Sequence, residues 1–185
     1  MSRYFSGKGD DGYTGLLGED RVPKHHPLPD TCGLLDEASA ALGLARAFCS
    51  SAEAVEVLRQ AQRDLYHMMA ELAAGPQGEP RFQLLEPARV DWLEDQIGRL
   101  GQGVEMPKGF VLGGDSRAGA CLDLARTVVR RAERALARLA HEGALGRPHL
   151  LAYMNRLSSL CFILALHENR LAGVDRPSMA KGGEG

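Results

Sequence analysis

The sequence lacks a basic excess, a paired-cysteine motif and a long apolar run, and each absence argues against a class of protein. Its 185 residues have a formal net charge of −2, whereas a nucleic-acid-binding domain normally shows a strong basic excess. The four cysteines form no CxxC pair, which indicates reduced thiols, three of them in apolar helical patterns. No bilayer-length apolar stretch or signal-peptide core is recognised. We therefore expect a cytoplasmic protein that binds neither nucleic acid nor membrane.

Strand signals and internal repeats are nearly absent as well, whereas helical periodicity is strong in the middle of the chain. This pattern predicts one all-α domain, an up-down five-helix bundle over residues 31–173. An extended N-terminal arm, residues 1–30, precedes the bundle and a flexible tail, residues 174–185, follows it. A short strand is expected at residues 3–5. The predicted helices cover residues 31–49, 51–74, 87–101, 115–143 and 148–171.

The most distinctive segment runs from Arg126 to Arg134 and contains four arginines and one glutamate in nine residues. Arg126, Arg130 and Glu133 follow the i, i+4, i+7 rule and therefore share one helix face. One interpretation is a solvated face with i, i+4 charge pairs, which suits Arg131, Arg134 and Arg138. The other is a row of guanidinium groups that binds a polyanion or another subunit. The apolar stripe on the opposite side consists of Cys121, Ala125, Val128, Ala132, Leu136 and Leu139.

Two further segments are candidates for binding. The glycine-rich stretch from residue 6 to residue 15 would let backbone N–H groups approach an anion, with donors from Lys8, Thr14 and Lys24 and a cation held by Asp10. It has no Walker A spacing, and a flexible terminus is the alternative. Asn155 interrupts an apolar helix as a poor helix former, so it either closes a gap between helices or contacts a ligand.

A di-metal carboxylate bundle is a third option for an all-α protein of this size. Such bundles use paired Glu-x-x-His motifs on two helices. The chain offers one comparable pair, Asp64 and His67, so the sequence gives this option little support.

Taken together, the segments resemble the PduO-type family of ATP:cob(I)alamin adenosyltransferases. The resemblance rests on GDDGYTGLLG, RVPK, GLLDEASAALGLAR, GFVLGG, ARTVVRRAER and YMNRLS, which occur in the family's order from about Phe5 to Ala165. It implies a cobalamin adenosyltransferase-like bundle that assembles as a homotrimer with active sites between subunits. It also implies transfer of the 5′-deoxyadenosyl group of ATP to cob(I)alamin, with Mg²⁺ on the phosphates and release of tripolyphosphate.

The resemblance further assigns roles to individual residues. Arg126 is expected to pair across the subunit interface with Asp36, and Phe110 to lie against the corrin and keep the lower axial ligand off cobalt. A cob(II)alamin reductase and an adenosylcobalamin-dependent client enzyme are implied as partners. Arg130, Glu133, Asn155 and Phe110 are the implied catalytic residues. The implied ATP-binding residues are Ser6, Lys8, Gly9, Asp10, Thr14, Lys24, Arg130, Arg131, Glu133 and Asn155.

The chain departs from the family pattern at several positions, which affects the details of nucleotide binding. A non-catalytic relative that binds a nucleotide or corrinoid as a carrier or sensor is therefore the alternative function. His25 and His26 are additions to the pattern and are expected in a surface loop. The other departures are at Ser6, Gly7, Leu28, Ser39, Leu112 and Ser159.

Overall fold

Five helices form the bundle in the computed structural model, which describes residues 4–17, 21–75 and 80–181. Helix α4 packs between α1 and α5, while α2 lies against α1 and α3 lies against α5. A short 3-10 helix, Pro80–Phe82, precedes α3. The all-α bundle expected from the sequence is confirmed. The helices are α1 (Pro27–Phe48), α2 (Ala52–Ala73), α3 (Ala88–Gly101), α4 (Arg117–His141) and α5 (Pro148–Leu171).

Local capping explains where the helices begin. Ser51 and Ser116 accept hydrogen bonds from the backbone N–H groups of Ala54 and Gly119, and so cap α2 and α4. Helix α1 begins at Pro27, four residues before the predicted N-cap Thr31. His26 is its N-cap instead, since its Nδ1 accepts from the backbone N–H of Leu28 at 3.3 Å. Pro27 suits the first helical position because its missing N–H would have no partner there.

Leucines and small residues fill the core along the predicted stripes. Five residues of the α4 stripe are buried, while Cys121 is half-buried. Burial raises the pKa of the Cys161 thiol to about 12 and that of Cys32 to about 11. Both thiols are therefore protonated at neutral pH, when neither is a nucleophile. The four cysteines are free.

Helix α5 departs from the prediction that no bilayer-length apolar stretch exists. By length and composition it is apolar enough to cross a membrane. However, 61% of its most apolar window is buried inside the bundle. The hydrophobicity of α5 is therefore accounted for by its position beside α3 and α4 in the core.

A buried polar cluster joins α2, α3 and α5. The Asp64 carboxylate accepts hydrogen bonds from Arg89 Nη2 at 2.7 Å, Tyr153 Oη at 2.8 Å and Gln60 Nε2 at 3.0 Å. Burial and the neighbouring Asp64 raise the pKa of Tyr153 well above its usual value. Because its oxygens already serve these three donors, Asp64 is a structural anchor in this fold. Within the described ranges, no group of three His, Cys, Asp or Glu residues is arranged to hold a metal ion.

Strands occur inside the arm, where almost no strand signal is present in the sequence. Strand β1 (Tyr13–Gly15) pairs with β2 (Arg21–Pro23) in an antiparallel ladder that places Thr14 opposite Val22. The predicted strand at residues 3–5 is not formed at Tyr4 and Phe5, and Arg3 lies outside the described residues. The backbone N–H of Leu17 donates to the carbonyl of Ala73 at 2.7 Å, which ties the arm to the end of α2.

Candidate functional site

The arginine-rich face of α4 separates into paired and unpaired side chains. Arg126 is half-buried, and its Nε lies 3.2 Å from Asp123 Oδ1 one turn earlier. Arg131 forms an ion pair with Glu37 of α1. Arg130 is exposed and forms no hydrogen bond or ion pair with any described residue. An exposed guanidinium without a partner among the described residues is available to an external anion.

Glu133 of α4 and Asn155 of α5 come together as a direct pair. Asn155 Nδ2 donates to Glu133 Oε1 at 2.9 Å, and both side chains are half-buried. Asn155 Oδ1 accepts from Arg156 Nη1 at 2.8 Å, and Arg156 Nε donates to Glu94 Oε1 of α3 at 2.7 Å. Arg130 lies almost one turn before Glu133 on α4. Three of the predicted site residues therefore lie on adjacent parts of the α4–α5 surface.

Arg21 and Asp11 hold the arm in a defined shape. Arg21 Nη1 and Nη2 donate to the two carboxylate oxygens of Asp11 at 3.0 and 2.9 Å, and Nη2 also donates to the carbonyl of Lys8 at 3.0 Å. The hydrogen bonds from Arg21 lower the pKa of the Asp11 carboxyl from its ordinary value. Sequence reasoning missed both residues as determinants of the arm, because their pairing depends on a hairpin that was not predicted.

The predicted anion-binding residues lie around this hairpin. A Cβ on Gly9 would come within 3.1 Å of Lys24 Nζ, so the absence of a side chain at position 9 lets Lys24 lie across the loop. Thr14 is half-buried in β1. Ser6, Lys8 and Asp10 are exposed, and Ser6 Oγ accepts from the backbone N–H of Lys8 at 3.4 Å. Among the described residues of the arm, Lys8 and Lys24 supply two ammonium groups, and Asp10 is a carboxylate without a hydrogen bond or ion pair.

Phe110 projects from the loop between α3 and α4 and is 88% exposed. The C-terminal segment fixes the backbone of this loop. The carbonyl of Phe110 accepts from the N–H of Ala180 at 2.8 Å, and the N–H of Leu112 donates to the carbonyl of Ser178 at 2.7 Å. A large apolar side chain is thus held in solvent by an ordered backbone, and Leu112 of the same loop is exposed as well.

The same contacts correct the prediction of a flexible tail for residues up to 181. Asp115 accepts from both the backbone N–H and the hydroxyl of Ser178, at 2.9 and 2.6 Å. Val111 and Met179 also form an antiparallel bridge. These hydrogen bonds give the segment a fixed position that its polar composition did not indicate. Residues 182–185 lie outside the described part of the chain.

The remaining predicted positions are spread over several elements. Asp36 is exposed on α1 and forms no ion pair with Arg126 within the described part of this single chain. Among the departures, Leu28 is buried in the first turn of α1, and Ser159 is exposed beside Asn155. Gly113 allows Asp123 to approach, because a Cβ there would lie 2.6 Å from the Asp123 carboxylate.

Comparison with known proteins agrees with this geometry. A family model described as cobalamin adenosyltransferase matches residues 4–168. The corrinoid adenosyltransferase of Mycobacterium bovis is 40% identical over 171 residues, which cover 89% of this chain and 88% of that protein. The corrinoid adenosyltransferase PduO of Salmonella typhimurium is 37% identical over 162 residues and covers 87% of the chain. The match spans 48% of that longer protein.

Solved structures give the same result at the level of the fold. One similar structure is a PduO-type ATP:corrinoid adenosyltransferase from Lactobacillus reuteri, a phenylalanine-to-histidine variant complexed with cobalamin and ATP. It superposes with a TM-score of 0.87 at 25% identity, and the match covers 97% of both chains. An arginine-to-lysine variant from the same organism, complexed with ATP, gives a TM-score of 0.82 at 26% identity and covers 96% of this chain and 99% of its own. On these matches of sequence and fold, the chain belongs to the cobalamin adenosyltransferase family.

Proposed function

We propose that this protein transfers the 5′-deoxyadenosyl group of ATP to the cobalt of cob(I)alamin, forming adenosylcobalamin and tripolyphosphate. One observation supports this most directly: Glu133 and Asn155 form a hydrogen-bonded pair near the unpartnered Arg130. The arrangement offers a nucleotide a guanidinium, a carboxylate and an amide on one surface. ATP and cobalamin are the ligands in the complexes of the structurally similar protein.

The chemistry requires positioning and charge stabilisation more than a protein nucleophile. Cobalt(I) supplies the electron pair that forms the bond to ribose C5′, while the C5′–O bond breaks and its electrons leave with tripolyphosphate. Arg130 and the ammonium groups of Lys8 and Lys24 would stabilise the charge on the leaving group. Bound Mg²⁺ would offset phosphate charge, and the free carboxylate of Asp10 is the arm residue suited to it.

We infer that the complete site forms between subunits of a homotrimer. The arm is hydrogen-bonded to the end of α2, and none of the proposed arm residues from Ser6 to Lys24 has a hydrogen bond to α4 in the described part of the chain. The exposed Asp36 is available to Arg126 of a neighbouring subunit. A partner's arm placed over the α4–α5 surface would bring Lys8, Lys24, Arg130 and Asn155 to one nucleotide.

Phe110 is proposed to contact the corrin. Its exposed ring on a hydrogen-bonded loop suits an apolar wedge that excludes the lower axial base and water from cobalt. Four-coordinate cobalt(II) is easier to reduce to the nucleophilic cobalt(I). The solved variants replace a phenylalanine and an arginine, the residue types proposed here for Phe110 and Arg130.

This function requires one cytoplasmic activity that supplies the reduced substrate and another that uses the product. A reductase must supply the electron that converts cobalt(II) to cobalt(I), and an adenosylcobalamin-dependent enzyme must use the product. The four free cysteines fit a reducing compartment.

The direct test incubates the protein with ATP, Mg²⁺ and chemically reduced cobalamin and follows adenosylcobalamin by its absorbance. Formation of adenosylcobalamin with an equal amount of tripolyphosphate supports the enzyme. Tight ATP binding without conversion would instead indicate a carrier or sensor of the same fold.

A further inference from the structure

Arg156 of α5 donates two hydrogen bonds from different nitrogens, one to α3 and one to its neighbour on α5. Its Nε donates to Glu94 on α3 at 2.7 Å, and its Nη1 donates to Oδ1 of the preceding Asn155 at 2.8 Å. Asn155 in turn donates through Nδ2 to Glu133 on α4 at 2.9 Å. A continuous line of hydrogen bonds therefore runs from α3 through α5 to α4 and passes through the amide of Asn155.

The two ends of this line fix the orientation of the Asn155 amide. Its oxygen faces the guanidinium of Arg156, which only donates, and its nitrogen faces the carboxylate of Glu133, which accepts. Rotating the amide by 180° would place donor against donor on one side and oxygen against oxygen on the other. Either contact alone favours the observed orientation, and both together exclude the reversed one.

The ion pair between Arg156 and Glu94 is too exposed to contribute much to the stability of the fold. The side chains of Arg156 and Glu94 are 40% and 49% exposed. Solvent-exposed ion pairs add little to folding free energy, because water screens them and two long side chains must be ordered. The pair can nevertheless orient the Asn155 amide, because a hydrogen bond from a held guanidinium fixes a direction even when the ion pair adds little to the free energy of folding.

We propose that Arg156, anchored by Glu94, is a positioning residue for ATP binding that acts through Asn155. With the amide fixed, its remaining N–H and its remaining oxygen lone pair occupy constant positions for the nucleotide. The inference rests on the proposed function, because it assumes that Asn155 contacts ATP. It adds Glu94 and Arg156 to the residues on which nucleotide binding depends.

The first test compares Arg156→Gln with Arg59→Gln. Arg59 is a matched control, since its side chain is also 40% exposed and its partner Glu56 lies on the same helix, α2. Arg156→Gln is expected to raise the KM for ATP about tenfold. The KM for cobalamin and the melting temperature should stay close to those of Arg59→Gln. Arg156→Lys should recover part of the ATP affinity, because one ammonium can still donate to Asn155.

The second test is a double-mutant cycle of ATP binding measured by calorimetry. If Arg156 acts through Asn155, then adding Arg156→Gln to Asn155→Ala should weaken ATP binding no further. An undiminished tenfold loss in the Asn155→Ala background would overturn the proposal and indicate direct contact between Arg156 and ATP. An Arg156→Gln protein with the KM of the unmodified protein would also overturn it.

The outcomes separate this inference from the proposed function. If the unmodified protein neither binds ATP nor forms adenosylcobalamin, the proposed function fails, and the inference fails with it. If the unmodified protein is active and Asn155→Ala loses ATP affinity while Arg156→Gln does not, only the positioning role is wrong. Glu94→Ala should reproduce the ATP-specific part of the Arg156→Gln effect, and an unchanged KM in that variant would contradict the anchoring role of Glu94.

Discussion

Neighbouring arginines of α4 have different partners within the described part of the chain. Arg131 is paired with Glu37 of its own chain and Arg126 with Asp123, whereas Arg130 has no partner among the described residues. Sequence periodicity placed Arg126, Arg130 and Glu133 on one face, but only the structure distinguishes satisfied guanidinium groups from a free one. Arg134 and Arg138 are likewise exposed and unpaired among the described residues. Arg130 is the first choice for contact with a nucleotide because it also shares a helix face with Glu133.

Replacing Arg130 with alanine should lower kcat/KM by about 10²- to 10³-fold, the usual effect of removing one preorganised charge from a developing anion. Assembly and melting temperature should be unchanged, because Arg130 is exposed and forms no hydrogen bond or ion pair with the described residues. Steady-state kinetics and size-exclusion chromatography with light scattering measure both properties. Arg138→Ala, an exposed arginine on the same helix, is the control. Equal activity of the two variants would remove Arg130 from the site.

The surroundings of Asn155 could be predicted from the sequence only in part. Its poor helix propensity and its flank on α5 indicated either a contact between helices or a ligand contact, and the structure shows the first directly through Glu133. Its second partner, Arg156, was not predicted. The sequence places Asn155 and Arg156 side by side, but it does not show that Glu94 from α3 holds the arginine over the amide.

At the scale of elements, the helices were predictable because their signals are local. Serine caps, Pro at first turns and Gly at helix ends act within a few residues, so the predicted boundaries of α2 to α5 lie within about two residues of the observed ones. The hairpin and the docked tail depend on distant partners. Arg21 pairs with Asp11 across the turn, and Ser178 binds Asp115 more than 60 residues away.

The loop that presents Phe110 leads to a prediction about the cobalt oxidation state. Phe110→Ala should slow adenosylation about tenfold when cobalt(II) is reduced on the protein, because water and the lower base would then reach the metal. The rate with pre-formed cobalt(I) should change much less. Electron paramagnetic resonance of bound cob(II)alamin with ATP should show loss of the four-coordinate species. An equal loss of rate under both conditions would contradict the wedge role.

The docked tail leads to a related prediction. Removing residues 175–185 eliminates the hydrogen bonds between the tail and Phe110, Leu112 and Asp115 and should loosen the loop without disturbing the core. We expect the truncated protein to melt within a few degrees of the full chain and to reproduce the cobalt(II)-specific defect of Phe110→Ala. If truncation leaves the four-coordinate cobalt(II) signal unchanged, the tail does not position Phe110.

At the scale of the whole molecule, one chain does not contain a complete site in the proposed arrangement. The arm carries Lys8, Asp10 and Lys24 and is tied to the end of α2 through Leu17, while Arg130 and Asn155 lie on the α4–α5 surface. Family resemblance, rather than periodicity, supplied the expectation that subunits share the site. An exposed Asp36 and a half-buried Arg126 agree with a pairing between chains.

Arg126→Ala should therefore weaken assembly as well as activity. Loss of one partner of an interfacial charge pair is expected to cost about 2 kcal/mol of association free energy per contact. Sedimentation velocity over a range of concentrations should show dissociation of Arg126→Ala and Asp36→Ala trimers, with Arg138→Ala as the control. A fully trimeric but inactive Arg126→Ala would instead place Arg126 at the nucleotide.

The central claim is that this chain catalyses adenosyl transfer from ATP to cob(I)alamin. The most direct measurement supplies ATP, Mg²⁺ and pre-reduced cob(I)alamin under anaerobic conditions and quantifies both products, with Arg130→Ala in parallel. We expect one adenosylcobalamin and one tripolyphosphate per ATP consumed, and a rate reduced by about 10²-fold or more in the variant. ATP binding without either product would contradict it.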